Sequence, residues 1–525
     1  MDTSLKVLKV AFVHLDVRYK DPEANRKNLL RLNREAAIQG ANLILNTEMP
    51  LAGYSFSSRE DISGYVESEN GPTLTEIKRL AKEYGTYIGM GLAEHDEATG
   101  IYYNSAFVID PDGRRVCRYR KINAEMRWAC PGDPKQSGTF DTPWGRIGVL
   151  ICSDSYYGMM PRSMAMRGVD LLWVPANWPP SGLDPLELWK GRAIENGFFI
   201  AACGRTGKDR IMDCTSAVSC AFDPQGRELF AASSEESRVF MVEIPLNEVG
   251  RLSNGSHPQT LQGRNPSLYR SIYLDFRLID DLTAHYDLPQ PGPLHVHCLV
   301  PGGEDWDLET FERQITVTKK EGSNLFVLPP LSSALMDAKS LKSLARQHDV
   351  ALATSLYSGG PADSVSSSSD ETPGRENPSA VQVLVTPDTT CEWRIEDTEH
   401  PNGKFPFPTV HYGPAKLGMA PYELLLHPEL AVAFSKEGYD LVVLSENRLD
   451  RTQRLLCGIR TIEGIAVAAC SPNGAIISMV PKGHERWEEQ SIEGPGTCSY
   501  ALDTARIRKK RFQDRVDFEL LLRTS

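Results

Sequence analysis

Short apolar runs that stop abruptly at a polar residue dominate the first half of the chain. Gly40-Ala41-Asn42-Leu43-Ile44-Leu45-Asn46-Thr47-Glu48 and Arg146-Ile147-Gly148-Val149-Leu150-Ile151-Cys152-Ser153-Asp154 share one grammar. Each is apolar enough for a strand buried on both faces, and each delivers a reactive side chain at its carboxyl end. Leu8 to His14, Tyr87 to Ala93, Asn104 to Ile109 and Asp170 to Pro175 read as further strands. Between them, Leu29, Leu30, Leu32 and Ala36-Ala37 recur with helical spacing and predict a helix over 25–39, ended by Gly40. Thr73 to Tyr84 repeats that pattern. Asp110-Pro111-Asp112-Gly113 makes a hairpin-like turn, and the strand after it, Arg115 to Arg120, delivers Lys121. Strands alternating with helices imply a layered α/β architecture.

The residues at the strand ends carry the chemistry. A thiol at a strand-to-loop corner, with backbone N–H groups just beyond it, can be held as a thiolate and can present an oxyanion to those same donors. Taken singly, each residue has a plain structural reading. Free cysteine is among the most buried residue types, a lone Glu caps helices and a lone Lys ends a surface strand. Glu48, Lys121 and Cys152 together, at three strand ends, supply a base, a cation and a nucleophile.

With that set in place the chain resembles the nitrilase, or carbon–nitrogen hydrolase, superfamily, whose members use a Glu-Lys-Cys triad. The resemblance covers roughly residues 6 to 275. It rests on Glu48 followed by Gly53-Tyr54, on Tyr119-Arg120-Lys121, on Pro131-Gly132-Asp133 and on Cys152-Ser153-Asp154. Arg192-Ala193-Ile194-Glu195-Asn196 and Asn265-Pro266-Ser267-Leu268-Tyr269 extend it. The resemblance implies an α-β-β-α sandwich and a catalytic set of Glu48, Lys121 and Cys152, with Glu125 at the position of the family's second glutamate. The backbone N–H of Ser153 would hold the oxyanion. Asn177 and Trp178 fall where members line the acyl pocket, and a large aromatic such as Trp178 equally suits packing. Tyr54 and Tyr156 are further pocket candidates. No metal or organic cofactor is required. The chain departs from the family pattern after Asp154, where Tyr156-Tyr157-Gly158-Met159 replaces a frequent Pro-Glu ending, so substrate preference does not carry across.

Composition narrows the setting. A chain of 525 residues implies at least two domains, and its net charge of −12 argues against a nucleic-acid partner. The basic run Arg506 to Arg511 is the exception and reads as a solvated face. Eleven cysteines without Cys-x-x-Cys spacing disfavour both a zinc site and a secreted disulfide framework. No apolar stretch reaches the length of a membrane span, so a cytoplasmic protein with no membrane association is expected.

The second half repeats the first. The expected division is a catalytic domain over 1–285, a Pro-rich linker over 286–293 and a degenerate copy over 294–525. Gly322 to Pro330 lies over Gly40 to Glu48, putting Pro330 in the glutamate's place. Leu417 to Tyr422 lies over Ile147 to Cys152, and the separation from Tyr422 to Asp440 equals that from Cys152 to Asp170. Arg460-Thr461-Ile462-Glu463 echoes Arg192-Ala193-Ile194-Glu195, and no lysine between Lys342 and Lys404 could replace Lys121. Two tandem sandwiches packed as an internal pseudo-dimer are expected, the second acting as an in-cis partner, with further homo-oligomerisation open. Ser358 to Ala380, rich in Ser, Gly, Pro and acidic residues, reads as a disordered insert.

The function expected from the resemblance is hydrolysis of a carbon–nitrogen bond in a small amide or N-carbamoyl compound through a cysteine acyl-thioester. A nitrilase acting on a small nitrile would use the same three residues. A non-catalytic binding or regulatory protein on this scaffold is the alternative of a different class.

Overall fold

The computed structural model describes residues 6–252, 260–275, 278–302, 308–357, 380–394 and 405–523. The expected disordered insert therefore lies outside the described residues, apart from Ala380. The chain forms two compact units, one built from residues up to 263 together with 515–523, the other from 264–514.

In the first unit, one six-stranded sheet contains β1 (Val7–His14), β2 (Leu43–Asn46), β3 (Tyr87–Asp96), β4 (Ile101–Ile109) and β5 (Arg115–Arg120). The other contains β6 (Thr139–Thr142), β7 (Gly145–Val149), β8 (Leu171–Pro175), β9 (Phe199–Cys203), β10 (Ser219–Phe222) and β11 (Glu228–Ala232), while β12 (Arg238–Pro245) completes the first. The orders are β12-β1-β2-β3-β4-β5 and β11-β10-β9-β8-β7-β6. In each sheet three central strands run parallel and the flanking strands antiparallel. The parallel strands β2, β8 and β9 are buried along their whole length, as strands covered on both faces must be.

The sheets pack face to face through large side chains opposite small ones. Trp173 of β8 is fully buried, and a Cβ on Gly89 of β3 would sit 2.7 Å from its ring. Gly89→Ala is expected to cost about 1–3 kcal/mol by overpacking this contact, read as a shifted denaturant midpoint. The outer face of the first sheet is covered by helices Pro22–Ile38 and Pro72–Tyr84, which bury Leu29, Leu32, Ala36, Leu74, Ile77 and Leu80 against it. The first of these helices starts three residues earlier than the apolar spacing predicts. Asp21 accepts the N–H of Ala24 at 3.2 Å, and Pro22 has the fixed φ that suits a first turn. Helices Met159–Met166 and Pro185–Asn196 lie with the second sheet.

The second unit repeats these orders strand for strand. One sheet runs Thr390–Trp393, Val381–Val385, Ala351–Tyr357, Asn324–Val327, Pro293–Val300, Gly496–Asp503, with Leu331–Ser332 added beside Ala351–Tyr357. The other runs Val410–Tyr412, Ala415–Met419, Leu441–Ser445, Ala466–Ser471, Gly474–Met479, Glu488–Glu493. Their facing surfaces share one apolar core that includes Val296, Leu325, Ala353, Leu417, Val443 and Ala468.

Two features differ from the sequence expectation. The units divide at residue 263 and not at 285, because Arg264 reaches the buried Glu429 at 3.0 Å and Lys436 donates to the carbonyls of Ile272 and Leu274. Residues 515–523 return to the first unit, where Asp517 meets Arg167 at 3.2 Å. The basic run is also no simple solvated face. Arg506 pairs with Glu488 and Arg508 with Asp440, both at 2.9 Å, while Lys510 donates to the carbonyls of Tyr439 and Gly464.

Candidate active site

Three strand ends of the first unit converge. β2 ends two residues before Glu48, and Met49 turns the chain away with φ of +52°. β5 leads directly into Lys121, whose N–H bonds the Asn104 carbonyl at 2.8 Å. β7 runs through Leu150 and Ile151 to Cys152, which opens a short 3-10 turn with φ of +48°. A left-handed backbone at a residue with a Cβ costs on the order of 1–3 kcal/mol and persists only where its surroundings enforce it. Here Asp154 does so. Its carboxylate accepts the N–H groups of Ile122 and Asn123 and the hydroxyl of Tyr119, fastening the cysteine turn to the loop just after Lys121. Burial raises the Asp154 carboxyl to about 6, against the pull of the Asn123 N–H, Lys121 and its other donors.

Glu48 and Lys121 are fully buried. Lys121 Nζ lies 2.8 Å from Glu48 Oε1 and 2.6 Å from Glu125 Oε1. The Tyr54 hydroxyl donates to Glu125 and lies 3.4 Å from Lys121 Nζ. Asn104 donates through Nδ2 to Glu48 at 2.8 Å and to Glu125 at 3.2 Å. From β8, Asn177 gives its main-chain N–H to Glu48 Oε2 at 2.9 Å and its side-chain Nδ2 to the Glu48 carbonyl at 3.0 Å. Every ionised group in this cluster thus has charged or donor partners, as low-dielectric burial requires.

Electrostatics sets the resting protonation. Burial opposes the charge on Lys121, but Glu125 and Glu48 outweigh it and hold the ammonium well above the ordinary lysine range. Burial likewise pushes Glu125 up, and Lys121 with the hydrogen bonds of Tyr54 and Asn104 brings it below the usual carboxylate value. The Cys152 thiol goes the other way. Burial raises it well above its ordinary value, Glu48 adds to the rise, and Lys121 and the Asn177 N–H oppose it. At rest the sulfur therefore holds its proton more tightly than an ordinary thiol.

The remaining residues singled out in the sequence lie on the nucleophile side. Ser153 is half-buried on the cysteine turn, its hydroxyl donating to the Asn123 carbonyl at 3.3 Å. Tyr156 stacks on Trp178 with ring centroids 6.3 Å apart and meets Tyr157 edge-on at 4.9 Å. Trp178 packs on Trp189 and donates to the Leu183 carbonyl, so it is both a half-buried wall and a packed side chain. Asn104 is a member of the cluster that sequence reading did not single out. Its signal was an amide side chain, next to Ser105, inside a strand that is otherwise aromatic and aliphatic. Among the described residues no three His, Cys, Asp or Glu side chains are grouped to hold a metal ion.

Pro330 follows the strand Asn324–Val327, and Tyr422 opens the short helix after Ala415–Met419, its N–H donating to Glu446 at 2.9 Å.

The chain belongs to the carbon–nitrogen hydrolase family. The sequence model of the family, described as carbon-nitrogen hydrolase, matches residues 9–254. A nitrilase of Pyrococcus abyssi is 31% identical over 247 residues, 46% of this chain and 90% of the relative. An N-carbamoylputrescine amidase of Solanum lycopersicum is 30% identical over 277 residues, 48% of this chain and 90% of the relative. The omega-amidase NIT2 of Mus musculus is 28% identical over 265 residues, covering 47% and 92%.

Proposed function

We propose that the first unit hydrolyses a non-peptide carbon–nitrogen bond in a small carboxamide or N-carbamoyl compound, releasing ammonia or an amine. The observation that carries this reading is the buried Lys121 ammonium, held between Glu48 and Glu125, with Cys152 near enough for Glu48 and Lys121 both to act on its thiol. An amide carbonyl is a poor electrophile, so the reaction needs a strong nucleophile, a proton carrier and donors for negative charge on oxygen.

Glu48 takes the Cys152 proton as sulfur attacks the carbonyl carbon. The C–S bond forms, and the carbonyl electron pair moves to oxygen. Lys121 and the backbone N–H of Ser153 hold that oxyanion, each such donor lowering the barrier by roughly 3–4 kcal/mol. As the intermediate collapses, the C–N bond breaks and Glu48 protonates the departing nitrogen. Water, deprotonated by Glu48, then attacks the thioester. The C–S bond breaks, the acid leaves and Cys152 regains its proton. Glu125 and Tyr54 keep Lys121 in place, while Asn177 orients Glu48. Tyr156 and Trp178 bound the acyl pocket.

That relatives are described as N-carbamoylputrescine amidase and omega-amidase supports the amide and carbamoyl reading. The second unit serves as an in-cis partner and not as a second catalytic centre, since Pro330 and Tyr422 stand where Glu48 and Cys152 would. A cytoplasmic setting suits eleven cysteines that are all free thiols and described residues with no helix long and apolar enough to cross a membrane.

Ammonia release measured across small amides, N-carbamoyl amines and nitriles tests the reading. Turnover of at least one amide or carbamoyl compound, with nitriles much slower, is the expected result. Preferential nitrile turnover would replace the amidase assignment, and release from no compound would reject hydrolysis of these classes.

A further inference from the structure

Two buried side chains outside this scheme reach both sides of the catalytic cluster. Arg205, just after β9, is fully buried. Its Nε donates to Asn177 Oδ1, its Nη1 to the carbonyls of Thr206 and Gly207 at 3.3 Å, and its Nη2 lies 3.0 Å from Asp209 Oδ2. That same Asp209 oxygen accepts the backbone N–H of Tyr54 at 2.5 Å. One ion pair, neither side chain of which is exposed, thus ties Asn177, two residues after β8, to the turn that follows Glu48.

The chemistry of the guanidinium fixes how Asn177 faces. Arginine only donates, so the Asn177 amide must turn its oxygen towards Nε. Its Nδ2 is then left for the Glu48 carbonyl, and the adjoining main-chain N–H points at Glu48 Oε2. On the other arm, Asp209 Oδ1 lies 3.0 Å from where a Cβ of Gly53 would be, and Gly53 itself has φ of +80°. The carboxylate therefore packs on a residue that has to be glycine, and it holds Tyr54, whose hydroxyl meets Glu125 and Lys121. The bracket acts on the base through Asn177 and on the cation through Tyr54.

We infer that Arg205 and Asp209 are a positioning pair for this reaction, aligning Glu48 and Lys121 with Cys152 without touching substrate. The inference rests on the hydrolase reading of the first unit. Lysine at 205 would keep the charge but lacks the planar fork that spans Asn177 and Asp209 together. Misplacing reacting groups by about 1 Å can lower a rate about a hundredfold.

The test uses the full-length chain with Arg205→Lys, Asp209→Asn, and the double variant Arg205→Met/Asp209→Leu, which removes both buried charges at once. The readouts are kcat and KM for ammonia release from the best amide of the screen, and the pH profile of Cys152 alkylation by iodoacetamide, followed by mass spectrometry. The folded variants should lose about 10- to 100-fold in kcat, with KM within about threefold, and show a displaced alkylation profile. Glu48→Gln is the control. If it abolishes turnover while a folded pair variant keeps wild-type kcat and profile, or changes KM alone, the positioning role is overturned and the hydrolase reading stands. If Glu48→Gln changes neither readout, the hydrolase reading fails and takes the inference with it. Should the double variant as well as both singles fail to fold, the pair is structural and the inference is again overturned.

Discussion

Cys152→Ala is expected to abolish ammonia release, a loss of at least about 10⁴-fold in kcat, with the first unit still folded. Neither of the two cysteines nearest in character, Cys203 and Cys220, can take over. Cys203 and Cys220 are fully buried within strands, and burial drives both thiols well up from their ordinary value. Alanine keeps the Cβ and therefore the same left-handed strain, so the turn held by Asp154 should persist. Incubating wild type with a slow amide and quenching in acid should give an acyl adduct on Cys152 by mass spectrometry, which the variant lacks. Turnover by Cys152→Ala above about a hundredth of wild type would place the nucleophile elsewhere.

Lys121→Ala is expected to remove both activity and stability. The loss of an oxyanion donor costs about 10²–10³-fold in kcat, and misplacement of Glu48 adds to it. The loss of one cation from between two buried carboxylates costs about 3–5 kcal/mol, since the remaining charges lie uncompensated in low dielectric. The dependence on pH separates this from ordinary cavity formation. In the wild type, Glu125 is held below its ordinary value, so its contribution is present above the carboxylate range and fades as pH falls through its lowered value. Lys121 is held above its ordinary lysine value, so its contribution is fully present below that ordinary value and fades as pH rises through the raised one. Without the ammonium, Glu125 loses the charge that opposes burial, and burial raises its carboxyl against the remaining hydrogen bonds of Tyr54 and Asn104. The variant should then be relatively more stable in acid and lose ground as pH rises through the carboxylate range, the reverse of the wild-type slope. Denaturant midpoints across that range measure it, and parallel curves for the two proteins would refute the charge argument.

The strands and their reactive ends were legible because one physical cause produces both signals. A strand covered on two faces must be continuously apolar, so Glu48 and Cys152 stand out as the residues that end such a run. The strands of the second unit were legible for the same reason, since they are apolar runs of the same kind in sheets of the same order. Local capping by Asp21 and Pro22 was available in the sequence and moves the first helix start, but the apolar spacing begins only later.

The residues that sequence reading missed have partners distant in the chain. Asn104 matters because β4 carries it beside Glu48 and Glu125, and Arg205 because β9 carries it beside Asn177 and Asp209. Arg264 shifts the division between units through Glu429, far along the sequence, and Arg508 turns inward to Asp440. A lone polar residue in a sequence has many possible partners. The sequence by itself determined the layered sheets, the repeat and which side chains end the buried strands. Only the tertiary structure decided which polar groups meet, because the charge state of Lys121, Glu125 and Cys152 follows from burial and from neighbours that the folded backbone alone brings within hydrogen-bonding distance.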